Sequence, residues 1–122
     1  MQIVATLPAS DLERAQAWYA EVLQLEPTEI TEDGSLGYVL DGSYLMVYAS
    51  QFAGTNQATA AGLMVDDVEA TVAELKSRGA VFEDYDFGED FQTVDGILTS
   101  PSGRKLAWFK DSEGNILGVA TR

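Results

Sequence analysis

Neither cysteine nor histidine occurs in the 122-residue chain, and lysine and arginine together number 7 against 20 aspartates and glutamates. Without cysteine there is no disulfide, no thiol nucleophile and no thiolate metal site. Without histidine the commonest metal ligand and general base is missing as well. Zinc centres and Ser-His-Asp catalysis are excluded on those grounds. A formal net charge of −13 opposes binding to phosphate backbones or anionic lipid, where affinity comes from cationic side chains displacing counterions. Neither nucleic acid nor membrane is an expected partner. No apolar run approaches the roughly 18 residues of a membrane span. Residues 1–8 lack the basic and long apolar regions of a secretory leader. A cytoplasmic protein is expected.

What is present suits one globular domain: the length lies in the single-domain range, and 46% of residues are apolar. A strand is expected over residues 3–7. Ser10 followed by Glu13 gives the Ser-x-x-Glu pattern of a helix start. Leu12, Ala15, Tyr19, Val22 and Leu23 recur at three- and four-residue spacing, the stripe of an amphipathic helix that ends near Leu25, before Pro27. Strands over 37–40 and 44–48 meet across Asp41-Gly42, a pair that tolerates the positive φ of a tight hairpin. A short strand around 28–31 is also possible on this pattern, and the polar segment 49–59 is a connector.

The same order then recurs. A strand over 61–65 leads to Asp66 or Asp67 as N-cap and to Val68, Val72 and Leu75 as an apolar stripe. Lys76 and Arg78 suit the helix C-terminal dipole, and Gly79 suits its C-cap. An offset of 56 residues places Leu7 on Leu63, Asp11 on Asp67, Glu13 on Glu69 and Tyr19 on Leu75. Residues 1–122 thus form one domain of two repeat modules, 1–55 and 56–122, neither able to bury its apolar face alone. After the second helix come Val81-Phe82, an acidic aromatic stretch over 83–91, and strands over 97–99, 105–110 and 116–120. Pro101-Ser102-Gly103 and residues 111–115 form the turns between them.

Three segments carry a resemblance: Ser10-Asp11-Leu12-Glu13-Arg14-Ala15 with Trp18-Tyr19; Val65-Asp66-Asp67-Val68-Glu69; and Trp108 to Leu117 with its Asp-x-x-Gly-Asn turn. They resemble the glyoxalase, bleomycin-resistance and extradiol-dioxygenase group, the vicinal oxygen chelate superfamily. The resemblance implies an α+β fold of two paired βαβββ modules whose curled mixed sheets enclose a cavity. In metal-dependent members, His, Gln or Glu side chains hold the ion there. Those positions fall on Val4, Met46, Ala60 and Gly118, which offer hydrocarbon, a thioether or nothing to a divalent ion. The resemblance therefore implies a metal-free branch without a cofactor: small-molecule binding proteins, among them antibiotic-sequestering resistance proteins that are acidic cytoplasmic homodimers.

Strand alternation supplies the expected lining, because side chains two apart share a face. It gathers Val4 and Thr6; Tyr44, Met46 and Tyr48; Ala60, Gly62 and Met64; Leu106 and Trp108; and Ile116, Gly118 and Ala120. A one-residue slip would instead turn Leu45 and Val47 inward, although that aliphatic pair suits a helix-covered face. Small residues at 60, 62, 118 and 120 leave room for a flat aromatic or cationic guest beside Trp108. Trp18 and Tyr19 read as core. The stretch Glu83 to Asp90 reads either as a solvated loop or as a lid closing Tyr85 and Phe87 over a cationic guest. Phe91 and Tyr38 are secondary candidates. The alternative function is a metal-independent enzyme using Asp41, Asp95 or Tyr48 as acid or base.

Overall fold

A computed structural model describes residues 1–121, and the chain divides into two compact units. The first comprises residues 1–57 together with 111–115; the second comprises 58–110 and the strand that follows 115. The turn 111–115, which the sequence assigns to the second module, thus belongs to the first unit. The fold is mixed α+β, with two helices and two mixed sheets of four and five strands among the described residues. Neither helix is long and apolar enough to cross a membrane.

The first unit runs β1 (Ala5–Ala9), α1 (Leu12–Val22), β2 (Glu29–Ile30), β3 (Leu36–Leu40) and β4 (Ser43–Ala49). Its sheet has the order β1-β4-β3-β2, with β1 parallel to β4 and the other pairs antiparallel. β1 lies two residues later than expected, carrying Pro8, which an edge strand accommodates because one row of its N–H groups has no sheet partner. Asp41 and Gly42, at φ 44° and 83°, make the expected two-residue turn between β3 and β4. α1 stops at Val22 rather than near Leu25. Gln24 turns left-handed at φ 55°, and the Leu25 N–H returns to the Tyr19 carbonyl at 3.0 Å.

The second unit runs β5 (Thr59–Met64), α2 (Val68–Ser77), β6 (Thr93–Val94), β7 (Ile97–Thr99), β8 (Lys105–Lys110) and β9 (Ile116–Ala120). The sheet order β5-β9-β8-β7-β6 repeats that of the first unit with one strand added at the edge, and β5 is parallel to β9 as β1 is to β4. α2 ends in a Schellman motif: Ala80 N–H bonds Leu75 O, Gly79 N–H bonds Lys76 O, and Gly79 takes φ 105°.

The 56-residue offset survives in backbone geometry. Asp11 caps α1 at φ −142°, ψ 103°, accepting from Arg14 N; Asp67 caps α2 at φ −139°, ψ 105°, accepting from Ala70 N. Each helix buries its stripe on one face of its own sheet. In the first unit Leu7, Ala15, Tyr19, Val22, Leu36 and Val47 form the core; in the second, Val68, Val72, Leu75, Ala107, Phe109, Leu117 and Val119 do. The other face of each sheet is left without a helix in its unit.

Candidate functional site

The densest polar cluster lies in the first unit, around residues 111–115. The Tyr19 hydroxyl donates to Asp111 Oδ2 at 2.6 Å, and Asn115 Nδ2 donates to that oxygen at 2.9 Å and to the Pro8 carbonyl at 2.8 Å. The backbone N–H groups of Glu113 and Asn115 both reach Asp111 Oδ1 at 2.9 Å. Burial, reinforced by the Asp111 carboxylate, pushes the Tyr19 phenol up, so it remains a donor. Glu113 accepts from Arg14 Nε at 2.8 Å, Ser112 Oγ at 2.7 Å and Asp11 N at 3.0 Å. Burial alone would raise its carboxyl, but these donors prevail and hold it at about 2.

Ser10, expected as the α1 cap, belongs to this cluster instead. Its hydroxyl donates to Glu113 Oε1 at 3.3 Å and accepts from Arg14 Nη2 at 3.0 Å. The cap passes to Asp11 because the partner of Ser10 lies 103 residues away. These side chains satisfy one another, so the Asp-x-x-Gly-Asn turn reads as a structural clamp. Gly114 fits it closely, since a Cβ there would lie 2.9 Å from Gly54 Cα.

Of the residues expected to line a cavity, Val4, Tyr38, Tyr44, Met46 and Tyr48 belong to the first unit. Val47 is fully buried on the face that α1 covers, so Tyr44, Met46 and Tyr48 lie on the opposite face, where Thr6 pairs with Met46. The Tyr44 ring crosses Gly37 and its hydroxyl bonds Glu29. Val4 is exposed and precedes β1. Tyr38 requires a correction: it shares the covered face with Leu36 and Val47, is 1% exposed, and lies 5.6 Å from the Tyr19 ring. Burial, with Glu26 nearby, pushes its phenol up to about 12, and its hydroxyl has no hydrogen-bond partner among the described residues. It is a core residue on the wrong side of the sheet to join Tyr44 and Met46.

In the second unit Gly62, Gly118 and Trp108 stand side by side on β5, β9 and β8, on the face away from α2. The row is bare backbone at two positions. The indole lies over Gly118, since a Cβ there would meet Trp108 Cδ1 and Nε1 at 3.6 Å. Met64, Ala120 and Leu106 form the next row. Ala60 stands at a bulge between Thr59 and Ala61, where the β5–β9 register shifts. It is Thr59 whose Cγ2 would lie 3.4 Å from a Cβ at 118.

Tyr85 extends this surface, its ring edge-on to Trp108 at 5.6 Å and stacked with Phe87 at 5.3 Å. No sequence signal pairs position 85 with position 108. The contact follows from the bridge between Phe82 and Phe109 and from the Glu83 N–H bond to the Trp108 carbonyl at 2.8 Å. The first half of the expected lid is therefore anchored. Tyr85 N–H bonds Thr93 Oγ1 at 2.7 Å, and Asp84 accepts from Thr93 and Gly96 at 2.8 and 2.9 Å. These bonds, that of Thr93 foremost, hold the Asp84 carboxyl below its usual range. Residues 87–91 form a tight turn beyond it that exposes Phe87 and Phe91.

Two grooves in the second unit avoid these residues. One, of about 510 Å³, follows α2 between Glu69 and Lys76 and is closed opposite by Val94, Asp95, Ile97, Thr99 and Lys105. The other, of about 300 Å³, surrounds the start of α2 at Asp66 and Asp67. Asp41 and Asp95 occupy turns at φ 44° and 52°, and neither is paired with a nucleophile among the described residues; nor is Tyr48. No group of three or more carboxylates among the described residues could hold a metal ion. At the four positions where the resemblance would place ligands stand Val4, Met46, Ala60 and Gly118, the last covered by an indole. This donor set does not fit a divalent ion.

A family model described as the Glyoxalase/Bleomycin resistance protein/Dioxygenase superfamily matches residues 2–118. The chain belongs to that superfamily. Among solved structures, a glyoxalase/bleomycin resistance protein from Catenulispora acidiphila is similar at TM-score 0.73 and 22% identity, over 100% of this chain and 98% of its own. A lactoylglutathione lyase from Agrobacterium tumefaciens is similar at TM-score 0.70 and 20% identity, over 99% and 92%. A fosfomycin resistance protein from Listeria monocytogenes is similar at TM-score 0.67 and 13% identity, over 100% and 90%. None of the curated proteins matches the chain. The superfamily thus joins lyases and resistance proteins on one fold, and likeness at such identity carries the fold alone.

Proposed function

We propose that this superfamily member is a metal-independent small-molecule binding protein that captures a flat aromatic or cationic guest, in the manner of a sequestering resistance protein. The observation that carries the reading is the run Trp108, Tyr85 and Phe87, with the indole over Gly118, beside the open backbone of Gly62, where a Cβ would meet nothing within 4 Å. Bare backbone lets a planar ring lie close to the sheet, and the aromatic faces supply stacking and cation–π attraction. Asp86, Glu89 and Asp90 beside the exposed Phe87 favour a positive guest over an anionic one. Affinity comes from burial and stacking, and the ligand is withheld from its target in stoichiometric complex; no reacting group is required. We place the protein in the cytoplasm as a homodimer, following the relatives it resembles.

The test is a titration of the protein with bleomycin and a panel of planar cationic dyes, read by tryptophan emission, with and without chelator. Saturable quenching at micromolar protein, indifferent to chelator, is the expected result. Trp108→Ala removes the stacking partner and should weaken binding about tenfold, the equivalent of roughly 1.4 kcal/mol. Gly62→Leu should do the same by filling the open backbone beside the indole. Silence across the panel, or binding that requires an added divalent ion, would overturn the reading.

A further inference from the structure

The groove along α2 is a separate feature, on the face of the second sheet opposite Trp108. Glu69, Val72, Ala73 and Lys76 line it at helical spacing over two turns, about 10 Å of helix. α2 packs over β8 and β9, which leaves the β7 and β6 side uncovered, and Ile97 and Val94 from those strands face the helix stripe. The middle of the groove is therefore apolar: Val72, Ala73, Val94 and Ile97.

Its ends differ in charge arrangement. At one end Lys105 pairs with Glu69, and the two neutralise each other. At the other, Lys76 Nζ donates to the backbone carbonyl of Asp95 at 3.0 Å, not to a carboxylate. Lys76 and Asp95, residues of opposite charge, therefore meet at the same end, with Gln92 beside them and the Asp84 carboxylate near enough to feel the Lys76 ammonium. The lining balances, two lysines against two acids, in a chain whose overall charge is −13. A bare anion would work against the field of the whole chain, and a bare cation against Lys76.

We propose that this groove is a binding site for a small zwitterion with an apolar tail, an α-amino acid with a hydrophobic side chain. The carboxylate sits on Lys76, the ammonium faces Asp95, and the side chain lies along Val72, Ala73, Val94 and Ile97. A volume of about 510 Å³ accommodates such a ligand with room for water. The site is independent of the aromatic surface around Trp108 and stands or falls separately from it.

The experiment uses the full chain and L-phenylalanine as probe, followed by saturation-transfer NMR and by chemical-shift changes at Val72, Ala73 and Ile97. 3-Phenylpropanoate and phenethylamine, each lacking one of the two charges, are the comparison ligands. Saturable phenylalanine binding that shifts the groove residues is expected, with both comparison ligands about fivefold weaker or more. Lys76→Met and Asp95→Asn should each weaken phenylalanine by a similar factor. Asp95→Asn keeps the carbonyl that Lys76 binds and a residue type that tolerates positive φ. Lys110→Met should leave phenylalanine binding unchanged. Absence of saturation up to about 10 mM, equal binding of either comparison ligand, or indifference to Lys76→Met would overturn the proposal.

Discussion

At the scale of single residues, Glu113 gathers hydrogen bonds from Ser10, Asp11, Arg14 and Ser112. Its carboxylate is wholly buried and accepts from Arg14, Ser112 and the Asp11 N–H. Held at about 2 against an ordinary 4.5, it binds its proton less readily folded than unfolded. Its contribution to stability is therefore complete above the ordinary carboxylate value and is lost as pH falls towards the folded one. Glu113→Gln should destabilise the protein by about 2 kcal/mol at neutral pH, the scale of a charge-assisted hydrogen bond to a buried partner. It should also flatten the loss of stability in that acid window, read from urea midpoints measured across pH. An acid limb as steep in the variant as in the parent would remove Glu113 as its source. Ser10 shows what sequence reading misses at this scale. The local pattern offered it Glu13, but the three-dimensional partner, Glu113, lies far along the chain.

At the scale of elements, the two helix starts are near copies, and local signals account for most of what is seen. Asp11 and Asp67 adopt the same extended conformation and each accepts the N–H three residues on at 3.0 Å. Asp67→Ala and Asp11→Ala should each cost about 1 kcal/mol, the usual worth of an N-cap, measured as shifts in the urea midpoint at constant slope. Unequal losses would show that one helix is held by packing where the other relies on its cap. Strand positions were legible to within two residues, except for the short β6 (Thr93–Val94), which the sequence reading did not place. The identity of the covered face was legible where aliphatic and aromatic residues alternate, as at Leu45 and Val47 against Tyr44 and Met46. It failed at Tyr38, whose neighbours on the covered face, Leu36 and Leu40, are as apolar as it is.

At the scale of the whole molecule, charge dominates. A net −13 over 122 residues makes the folded state repel itself, and salt screens such repulsion as the Debye length falls from about 30 Å at 0.01 M to about 10 Å at 0.1 M. Thermal stability should therefore rise with sodium chloride over that range, read by calorimetry. A falling midpoint would mean that attractive surface pairs such as Lys105 with Glu69 outweigh the general repulsion. The same screening should weaken capture of a cationic guest at Trp108 more than binding of a zwitterion at Lys76, which distinguishes the two surfaces in one salt series.

The sequence by itself determined the two modules, their helices, the Asp41-Gly42 and 111–115 turns, and the absence of a histidine or thiolate donor set. These are local properties: periodicity, cap chemistry and turn residues act over a few positions, and composition acts over none. The tertiary structure decided which faces the helices cover, and so placed Tyr38 in the core and Trp108 on the face away from α2. It also brought Tyr85 to Trp108, gave Ser10 to Glu113, and formed the groove between Lys76 and Asp95. Each of these depends on contacts between residues far apart in sequence. Their geometry is fixed by the packing of helix on sheet and by hydrogen bonds that no short window of the chain contains.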